Sequence, residues 1–345
     1  MNPPKHNHYI FLKIKLFFAA WASGKITVRK LWNVFICSLA YVCKWQKSAA
    51  FPFILSLELW NECNAGCLFC RDGKGHIYNI NPEAAAVGSI SKGKMPFEMA
   101  KDIISQAKDD ALVAVLYTNG EPLLYKDLGR LVAHASANRL MTVIATNGLL
   151  FNEHNAREIL EAGIDFIKIQ LGGFTPDVYN VQIRYGDVEK LKENIRMVAR
   201  LRRETGSHAV ILIDWITYHY NRHQIPLIRR FCKENDLMLS FRQGNPRGGL
   251  EGKETPLPTE TLNMSCDWLW KAMQVNFNGD VLQCCEGVIW SQLKPYTTYQ
   301  TGTSKVGDIW NGPQARATRR LMATQGRSSM PICRQCQRRG VCFKW

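Results

Sequence analysis

Residues 53–70 read FILSLELWNECNAGCLFC, an apolar run that passes into a polar segment containing three cysteines. The apolar residues of Phe53–Glu58 predict a buried β-strand. Cys63, Cys67 and Cys70 follow this strand in a CxxxCxxC spacing. They should therefore lie at the carboxyl end of the first strand, which is where parallel α/β barrels build their active sites.

The chain from residue 52 to about 245 alternates strand-like and helix-like stretches, with about 30 residues in each unit. Further strands are predicted at Ala111–Tyr117, Met141–Ala145, Phe166–Leu171, Val210–Ile216 and Leu237–Arg242. Helices are predicted at Phe97–Ala107, Lys126–Ala137, Glu153–Ala162, Asp187–Arg203 and Gln224–Asn235. This alternation predicts an α/β fold, a partial (β/α)6 TIM-like barrel with parallel strands.

Composition divides the chain into three predicted parts. Residues 1–50 form a basic, apolar, helical extension, and residues 51–250 form the barrel. Residues 244–258 contain four glycines and three prolines, which indicates a linker. Residues 251–345 then form a smaller, cysteine-rich C-terminal domain.

The formal net charge of +15 is concentrated at the two ends of the chain. Residues 1–50 and residues 311–345 each contain eight basic and no acidic side chains, whereas the residues between them contain 28 basic and 29 acidic ones. A neutral body argues against a nucleic-acid-binding protein, so no nucleic-acid partner is predicted.

The N-terminal extension does not have the pattern of a signal peptide or of a membrane span. Lys13 and Lys15 interrupt its first apolar run. The next apolar run, Leu31–Trp45, is too short to cross a bilayer. The sequence therefore predicts a cytoplasmic protein whose N-terminal helix either docks on the core or contacts the inner membrane surface.

The spacing of the first three cysteines indicates metal chemistry. Three thiolates in a CxxxCxxC segment can hold three corners of a cubane iron–sulfur cluster and leave one iron open, whereas structural zinc normally takes four protein ligands. Disulfides are the alternative for a chain with 12 cysteines. Tight CxxC spacings and a length of 345 residues argue against them.

The motifs and their order resemble the radical S-adenosylmethionine (SAM) enzymes over about residues 52–245. The resemblance implies that Cys63, Cys67 and Cys70 hold a 4Fe–4S cluster whose open iron chelates SAM. Phe69 stands at the aromatic position that packs near adenine. Asn119-Gly120-Glu121-Pro122 corresponds to the family's Gly-Gly-Glu-Pro. Gly120 and Glu121 thus match the positions that contact the methionyl amino group, and Asn119 departs from the first glycine.

Later motifs extend the resemblance. Thr146-Asn147-Gly148 is similar to the family's ending of the third strand. Gln170 opens Gln170-Leu171-Gly172-Gly173, which departs from the Ser-Leu-Asp-Gly-like ending of the fourth strand, although its amide can still bond ribose or carboxylate. Arg184 resembles the arginine that often neutralises the SAM carboxylate, since a buried carboxylate requires a cation.

Residues 260–345 resemble the SPASM/twitch extensions that carry an auxiliary cluster. Asn278-Gly279-Asp280 predicts a hairpin turn that brings Cys266 and Cys284 towards each other. With Cys333 and Cys336 they would hold one auxiliary 4Fe–4S cluster, and a zinc ribbon is the alternative. The basic C-terminal segment, with Arg334, Arg338 and Arg339, would offset the charge of such a cluster.

Cys285 and Cys342 are left over from this ligand set. Cys285 is the candidate catalytic residue, a donor that returns a hydrogen atom to the substrate radical. The alternative is a small buried residue beside its ligand neighbour. Either cysteine could also replace one of the four ligands.

The resemblance implies that an external one-electron donor, such as flavodoxin or ferredoxin, drives cleavage of SAM to methionine and a 5′-deoxyadenosyl radical. This radical abstracts a hydrogen atom from an unactivated C–H bond. The expected substrate is a small polar metabolite or a sugar or glycan precursor, which is oxidised or epimerised. One alternative is maturation of a ribosomally made peptide, and another is a non-catalytic zinc-binding interaction protein.

Candidate substrate-binding groups follow strands five and six: Asp214, Tyr218, Arg242, Gln243 and Arg247.

Overall fold

The computed structural model describes residues 14, 17–68, 70, 92–184, 186–244, 250, 265–285 and 294–336. Within them a nine-stranded sheet has the order β6-β5-β4-β3-β2-β1-β7-β8-β9. The strands are β1 Ile54–Leu57, β2 Val113–Val115, β3 Met141–Thr146, β4 Phe166–Leu171, β5 Val210–Thr217, β6 Met238–Gln243, β7 Ala272–Val275, β8 Asp280–Leu282 and β9 Thr297–Thr298.

Helices connect the strands of the barrel and pack on its outer face. Before and between β1 and β6 lie α1 Val28–Val42, α2 Phe97–Ala107, α3 Leu128–Ala137, α4 Glu153–Glu161, the short α5 Pro176–Tyr179, α6 Val188–Glu204 and α7 Ile225–Glu234. The C-terminal part contains α8 Trp268–Lys271, α9 Val306–Trp310, α10 Pro313–Gln325 and α11 Pro331–Gln335. Short 3-10 turns occupy Pro122–Leu124, His219–Gln224 and Gly326–Ser329.

The strands β1 to β6 are all parallel, and each pairs with its neighbour in chain order. This arrangement confirms the predicted partial (β/α)6 barrel. Phe166–Leu171 and Phe97–Ala107 have the predicted bounds, and the other predicted strands and helices differ from the observed ones by one or two residues at either end.

The C-terminal part continues the same sheet. β7 pairs in parallel with β1, Ile54 opposite Ala272, and β8 returns antiparallel to β7. The turn between β7 and β8 contains Gly279 with φ +89°, a conformation that favours glycine, so the predicted hairpin is present. The described residues on both sides of the predicted boundary at residue 251 therefore share one sheet, and the division into domains stays a prediction.

Side chains alternate between two apolar layers along each barrel strand. The outward-facing residues pack with the helices in a large cluster that includes Leu55, Ile167 and Ile213. The inward-facing residues at the amino ends of the strands form a second cluster, which includes Ile54, Val113, Met141, Phe166 and Val210. Because facing alternates with period two, the inward positions nearer the carboxyl ends of β4 to β6 are Lys168, Gln170, Asp214, Ser240 and Arg242. The barrel interior is therefore apolar at one end and polar at the other.

The N-terminal segment closes the apolar end of the barrel. Ala20 is fully buried and belongs to the inner apolar cluster. Lys25 forms a buried ion pair with Asp165 at 2.6 Å and donates to the carbonyl of Gly163 at 2.9 Å. Because Asp165 immediately precedes β4, these bonds hold the segment against the amino ends of the strands. In the part of the chain described, no helix is long and apolar enough to span a membrane.

Candidate active site

The CxxxCxxC loop leaves the carboxyl end of β1 and is held by the segment that follows β4. The backbone amide of Leu68 donates to Gln182 at 2.9 Å, and that of Arg184 donates to Gly66 at 3.3 Å. Cys67 forms an antiparallel bridge to Ile183 and is buried. The amide of Cys70 donates to the carbonyl of Cys67 at 2.9 Å. The predicted cluster ligands are thus brought together on one loop with a paired backbone.

Asn147 links this loop to the end of β3. Its side-chain nitrogen lies 3.7 Å from the Cys63 sulfur and donates to the Asn64 side chain at 2.8 Å. Its side-chain oxygen accepts from the amide of Leu149 at 2.9 Å, which fixes the orientation of the side chain. Hydrogen bonds to cluster sulfur atoms tune the reduction potential. The structure therefore places Asn147 beside the predicted cluster ligand Cys63.

Glu121 connects three loops at the carboxyl ends of the strands. Its carboxylate accepts from the Thr146 hydroxyl at 2.6 Å, from the Asn147 amide at 2.8 Å and from the Leu123 amide at 3.0 Å. Its own amide donates to the carbonyl of Glu62 at 2.9 Å. Only 2% of Glu121 is exposed. Burial raises the pKa of the carboxyl to about 7, although its three donors each lower it. Its predicted contact with the methionyl amino group stays a prediction.

The Glu121→Gln substitution should destabilise the fold and change its pH dependence. A glutamine side chain must turn its NH2 group towards either the backbone amide of Asn147 or the Thr146 and Leu123 donors. A donor then faces a donor and a hydrogen bond is lost, which costs about 1–3 kcal/mol. The pKa of Glu121 is raised from 4.5 to about 7, so the native carboxyl binds its proton more tightly than the unfolded one. The stability that this proton contributes is present below about pH 4.5 and is lost as the pH rises to about 7.

Denaturant unfolding at several pH values measures this effect. The wild-type free energy of unfolding, relative to that of the glutamine variant, should decrease as the pH rises from about 4.5 to about 7. A difference between the two proteins that is independent of pH would contradict the buried, proton-binding state of Glu121. Thr324→Ala is a suitable control because its hydroxyl is exposed and bonds only within α10.

Gly120 allows the loop after β2 to approach the loop after β1. A Cβ atom at this position would lie 1.9 Å from the carbonyl oxygen of Trp60 and 2.8 Å from that of Glu62. The neighbouring Asn119 donates to the Glu58 carboxylate at 3.1 Å, so the residue that departs from the family's first glycine ties the two loops together. Pro122 is buried at the start of the 3-10 turn that follows.

The end of β4 explains the second departure from the family pattern. A Cβ on Gly172 would overlap the Gln182 amide, and one on Gly173 would lie 2.3 Å from the backbone nitrogen of Tyr179. Two glycines therefore let the chain around α5 pack on the strand end. The Gln182 side chain is fully buried, and both of its amide atoms lack a hydrogen-bond partner among the described residues. An unpaired buried amide beside the cysteine loop fits a site for a polar cofactor.

The remaining predicted cofactor-binding residues are Gln170, Arg184 and Phe69. Gln170 is half-buried on the inner face of β4, and Arg184 is exposed beside the cysteine loop. Phe69 lies outside the described residues. Their predicted roles towards SAM stay predictions. Arg247 also lies outside the described residues.

A charged group fills the polar end of the barrel interior. The Asp214 carboxylate is 2.6 Å from Arg242, 3.0 Å from Lys168 and 3.1 Å from the Ser240 hydroxyl. Burial would raise the pKa of Asp214, but Arg242 and Lys168 lower it to about 2. Two cations thus share one carboxylate. Sequence reasoning had selected Asp214 and Arg242, while Lys168 and Ser240 were missed although they stand at inward positions of predicted strands.

The other two candidate substrate-binding residues that the structure describes are Tyr218 and Gln243. Tyr218 is fully buried and stacks on Tyr220 with ring centroids 5.6 Å apart. A Cβ on Gly244 would lie 2.1 Å from the Tyr218 ring, so this ring packs closely against the backbone after β6. Gln243 is exposed at the last position of that strand. Tyr218 therefore supports the wall of the barrel end.

The four predicted auxiliary ligands lie in one region of the structure, beside α8, α10 and α11. Cys266, Cys284 and Cys333 pack against one apolar cluster, which includes Leu269 and Trp270. Burial raises the pKa of Cys266 and of Cys333 to about 12, and a neighbouring thiol adds to each shift, Cys333 for the first and Cys336 for the second. Burial raises the pKa of Tyr296, and the charges of Cys284 and Cys333 raise it further. A four-thiolate centre formed by these cysteines stays a prediction, and a bound cluster would favour their thiolate forms.

Arg327 is the cation of this centre that sequence reasoning missed. It is 2% exposed, and it lowers the pKa of both Cys266 and Cys333, against the effect of burial. Arg334 is exposed and donates to the carbonyl of Ser328 at 2.6 Å. Arg338 and Arg339 lie outside the described residues. Arg327 therefore adds a buried positive charge beside two of the predicted ligands, and compensation of a cluster's charge by the basic C-terminal segment stays a prediction.

Cys285 is half-buried and, like Cys284, packs against the inner apolar cluster of the barrel. Its role as a hydrogen-atom donor stays a prediction. Cys342 lies outside the described residues. Among the residues that are described, no three His, Cys, Asp or Glu side chains are arranged to hold a single metal ion.

The fold and the two cysteine centres define an iron–sulfur protein that combines a partial barrel with a C-terminal cluster-binding part. Residues 57–224 match the Radical SAM superfamily, and residues 266–337 match SPASM, an iron–sulfur cluster-binding domain. The chain therefore belongs to the radical SAM superfamily and carries a SPASM domain, as the motifs predicted. This membership implies a 4Fe–4S cluster with SAM and auxiliary iron–sulfur binding.

Curated relatives match about half of the chain. A probable GTP 3',8-cyclase of Methanocaldococcus jannaschii is 26% identical over 192 residues, which cover 54% of this chain and 57% of that protein. The PqqA peptide cyclase of Granulibacter bethesdensis is 26% identical over 175 residues, 51% of this chain and 42% of that protein. The chain thus matches about half the length of these relatives.

Solved structures share the fold over most of the chain. Streptococcus suis SuiB bound to S-adenosylmethionine superposes with a TM-score of 0.62 at 15% identity, covering 86% of this chain and 75% of that one. SuiB bound to precursor peptide SuiA gives 0.60 at 15% identity, covering 81% and 69%. BtrN in complex with AdoMet and 2-DOIA gives 0.50 at 16% identity, covering 83% and 93%. At these identities the likeness concerns the fold.

Proposed function

We propose that this chain is an enzyme that cleaves SAM reductively at the Cys63, Cys67 and Cys70 loop and abstracts a hydrogen atom from a peptide. The observation that carries the chemistry is the placement of three thiols on a backbone-paired loop directly after β1. When bound, the cluster and SAM supply the hydrogen-abstracting chemistry. The chain's own residues orient the cluster ligands, through Asn147, and shape the neighbouring loops, through Gly120 and Glu121.

A peptide substrate is supported by the comparisons rather than by a contact in the structure. SuiB, which shares the fold over 81% of this chain, has been solved with a precursor peptide, and the PqqA peptide cyclase is a relative over about half of the chain. The substrate would enter at the carboxyl ends of the strands, since that end of the barrel interior is polar and the other end is closed.

A small anionic metabolite is the second candidate, and the charged group around Asp214 favours it. Lys168 and Arg242 contribute two positive charges against one carboxylate, and 40% of the Arg242 side chain is exposed. Such a group suits a substrate carboxylate or phosphate. The relationship to GTP cyclases agrees with this alternative. In the peptide case the same group would bind an acidic side chain or the terminal carboxylate.

We propose a flavodoxin or ferredoxin as electron donor and the cytoplasm as location, where thiols stay reduced. The product depends on whether the second centre takes an electron from the substrate radical or Cys285 returns a hydrogen atom to it. A four-thiolate cluster has no open iron and suits transfer of the substrate electron, which gives an oxidised or cross-linked product. Return of a hydrogen atom by Cys285 gives epimerisation instead and leaves a thiyl radical, which one electron from the external donor and one proton convert back to the thiol.

Anaerobic reconstitution followed by iron, zinc and sulfide analysis tests the chemistry. The expected result is about eight irons per chain and formation of 5′-deoxyadenosine with a chemical reductant. About four irons with zinc at the second centre would overturn the auxiliary cluster. An intact first cluster that leaves SAM uncleaved would overturn the enzymatic function and favour a zinc-binding interaction protein.

Deuterium transfer distinguishes the two substrate classes. A perdeuterated extract of the source cells is divided by size, and each fraction is incubated with the reconstituted enzyme and unlabelled SAM. A peptide substrate should transfer deuterium to 5′-deoxyadenosine, and prior digestion with a nonspecific protease should abolish the transfer. Transfer that survives digestion and stays in the small-molecule fraction would overturn the peptide proposal and support the anionic metabolite.

A further inference from the structure

Exposed large hydrophobic side chains are concentrated in the N-terminal segment. Ten of the twelve such residues in the described part of the chain lie between positions 14 and 45. We call these ten the N-terminal apolar face: Ile14, Phe17, Phe18, Trp21, Val28, Leu31, Trp32, Phe35, Val42 and Trp45. Three are tryptophans, and Trp21 and Trp32 are 61% and 62% exposed. Soluble monomers rarely expose apolar side chains in such a group.

The face follows helical spacing. Positions 14, 17, 18 and 21 recur at three- and four-residue intervals, as do positions 28, 31, 32 and 35 of α1. Trp32 and Phe35 lie side by side, with ring centroids 5.4 Å apart. The opposite side of α1 is buried at Lys30, Asn33, Cys37 and Ala40. Each helical stretch thus presents an apolar stripe on the side that does not dock on the protein.

The docked side of α1 is tied to the amino ends of the barrel strands. The Asn33 amide donates to the carbonyls of Phe51 and Asp110, each at 2.9 Å. Lys30 donates to the carbonyl of Arg139. These acceptors precede β1, β2 and β3, while the cysteine loop follows the carboxyl end of β1. The N-terminal apolar face and the candidate active site therefore belong to opposite ends of the barrel.

The charge of the segment complements an anionic surface. Residues 1–50 contain eight basic and no acidic side chains, of which Lys25 and Lys30 are buried against the barrel. Lys44 and Lys47 are exposed near the end of the face. Arg29 is 64% exposed but is paired with Asp110 at 2.8 Å. Lysines beside exposed tryptophan and phenylalanine are typical of helices that lie in a membrane interface, where aromatic rings sit at headgroup level.

We propose that the N-terminal apolar face docks on a membrane surface containing anionic phospholipids. The helices lie in the interface plane, and the carboxyl end of the barrel faces away from the lipid. Substrate and electron donor then reach the cysteine loop from the aqueous phase. Membrane binding does not depend on the proposed reaction, so the two proposals can fail separately.

Vesicle co-sedimentation of the full-length, reconstituted protein tests the docking. Phosphatidylcholine vesicles with about 30% phosphatidylglycerol should bind the wild type. The Trp21→Ser/Trp32→Ser/Phe35→Ser variant should lose at least about tenfold in partition coefficient, since it removes three exposed aromatic side chains that the membrane interface would bury. The Val181→Ser/Leu227→Ser variant removes the other two exposed hydrophobic residues and should bind as the wild type does.

The electrostatic part has its own variant. Lys44→Glu/Lys47→Glu should weaken binding to phosphatidylglycerol vesicles by at least about tenfold, because basic residues near the surface are attracted to anionic headgroups and the introduced carboxylates are repelled by them. Wild type that stays in the supernatant, or a triple-serine variant that binds equally well, would overturn the proposal. A concentration-dependent dimer that the triple-serine substitution abolishes, without vesicle binding, would assign the face to a second copy instead.

Activity on the vesicles tests the orientation. Vesicle-bound wild type should form 5′-deoxyadenosine at the rate it shows in solution. The triple-serine variant should keep that rate with and without vesicles, which also shows that it folds. Inhibition of the wild type by vesicles that leaves the variant unaffected would overturn an arrangement in which the cysteine loop faces the water.

Discussion

Replacing Cys63 with alanine should reduce SAM cleavage by at least about 1000-fold, a rise in the activation barrier of about 4 kcal/mol. The loop would retain Cys67 and Cys70, and two thiolates do not hold a cubane whose fourth corner must stay open for SAM. The side-chain nitrogen of Asn147 would also lose its contact with the Cys63 sulfur, which lies 3.7 Å away. The auxiliary centre draws on other residues and should keep its iron.

Iron analysis and 5′-deoxyadenosine formation measure this prediction, and two further variants control it. Cys284→Ala should lose iron from the auxiliary centre while the first centre keeps its own. Cys232→Ala should keep both centres, since that thiol is 3% exposed within the outer apolar cluster and only about 1 kcal/mol of packing is removed. SAM cleavage by Cys63→Ala near the wild-type rate would contradict the assignment of the cluster ligands.

The barrel could be predicted from the sequence because its signals are local. Phe166–Leu171 alternates apolar and polar residues, Val210–Ile216 is apolar except for Asp214, and helices of the expected length separate such stretches. The pairing of β7 with β1 is not a local signal. The paired residues Ile54 and Ala272 are more than two hundred positions apart. Nothing in the sequence around either residue indicates that its strand pairs with the other.

The candidate site divides in the same way. The three cysteines of the first loop share one short segment, so their spacing is sufficient to predict that they lie together. Lys168 and Arg242 meet at Asp214 only because their strands flank β5 in the sheet. Arg327 was not distinguished from the other basic residues near the C-terminus, because its burial beside Cys266 and Cys333 arises from packing. Long-range contacts thus determine which charged residue acts on which centre.

The departures from the family pattern follow the same physical logic. Gln170-Leu171-Gly172-Gly173 replaces a polar strand ending with glycines, and the structure shows that these glycines admit Gln182 and the backbone of Tyr179. Gln182 thereby supplies a buried amide beside the cysteine loop. The strand ending has glycine where the family has a polar residue, and the side-chain amide of Gln182, ten positions beyond Gly172, lies against this glycine.

Substitution of Gly120 by alanine should weaken SAM binding by at least about 100-fold, or about 3 kcal/mol. The new Cβ would lie 1.9 Å from the carbonyl oxygen of Trp60 and 2.6 Å from its carbonyl carbon. Backbone atoms cannot rotate away as a side chain does, so the loop after β2 must separate from the loop that carries Cys63. The bond from the Glu121 amide to Glu62, 2.9 Å long, would be lost with it.

Equilibrium SAM binding to the anaerobically reconstituted protein measures the effect, with iron analysis to confirm that the first cluster is present. Gly307→Ala is the matched control. Gly307 lies in α9 with no atom within 4 Å of an added Cβ, so alanine there should leave SAM affinity unchanged and stabilise the helix by up to about 1 kcal/mol. Unchanged affinity in Gly120→Ala would mean that the two loops separate without disturbing the SAM site. The close approach of Gly120 to Trp60 would then serve the fold and not the cofactor.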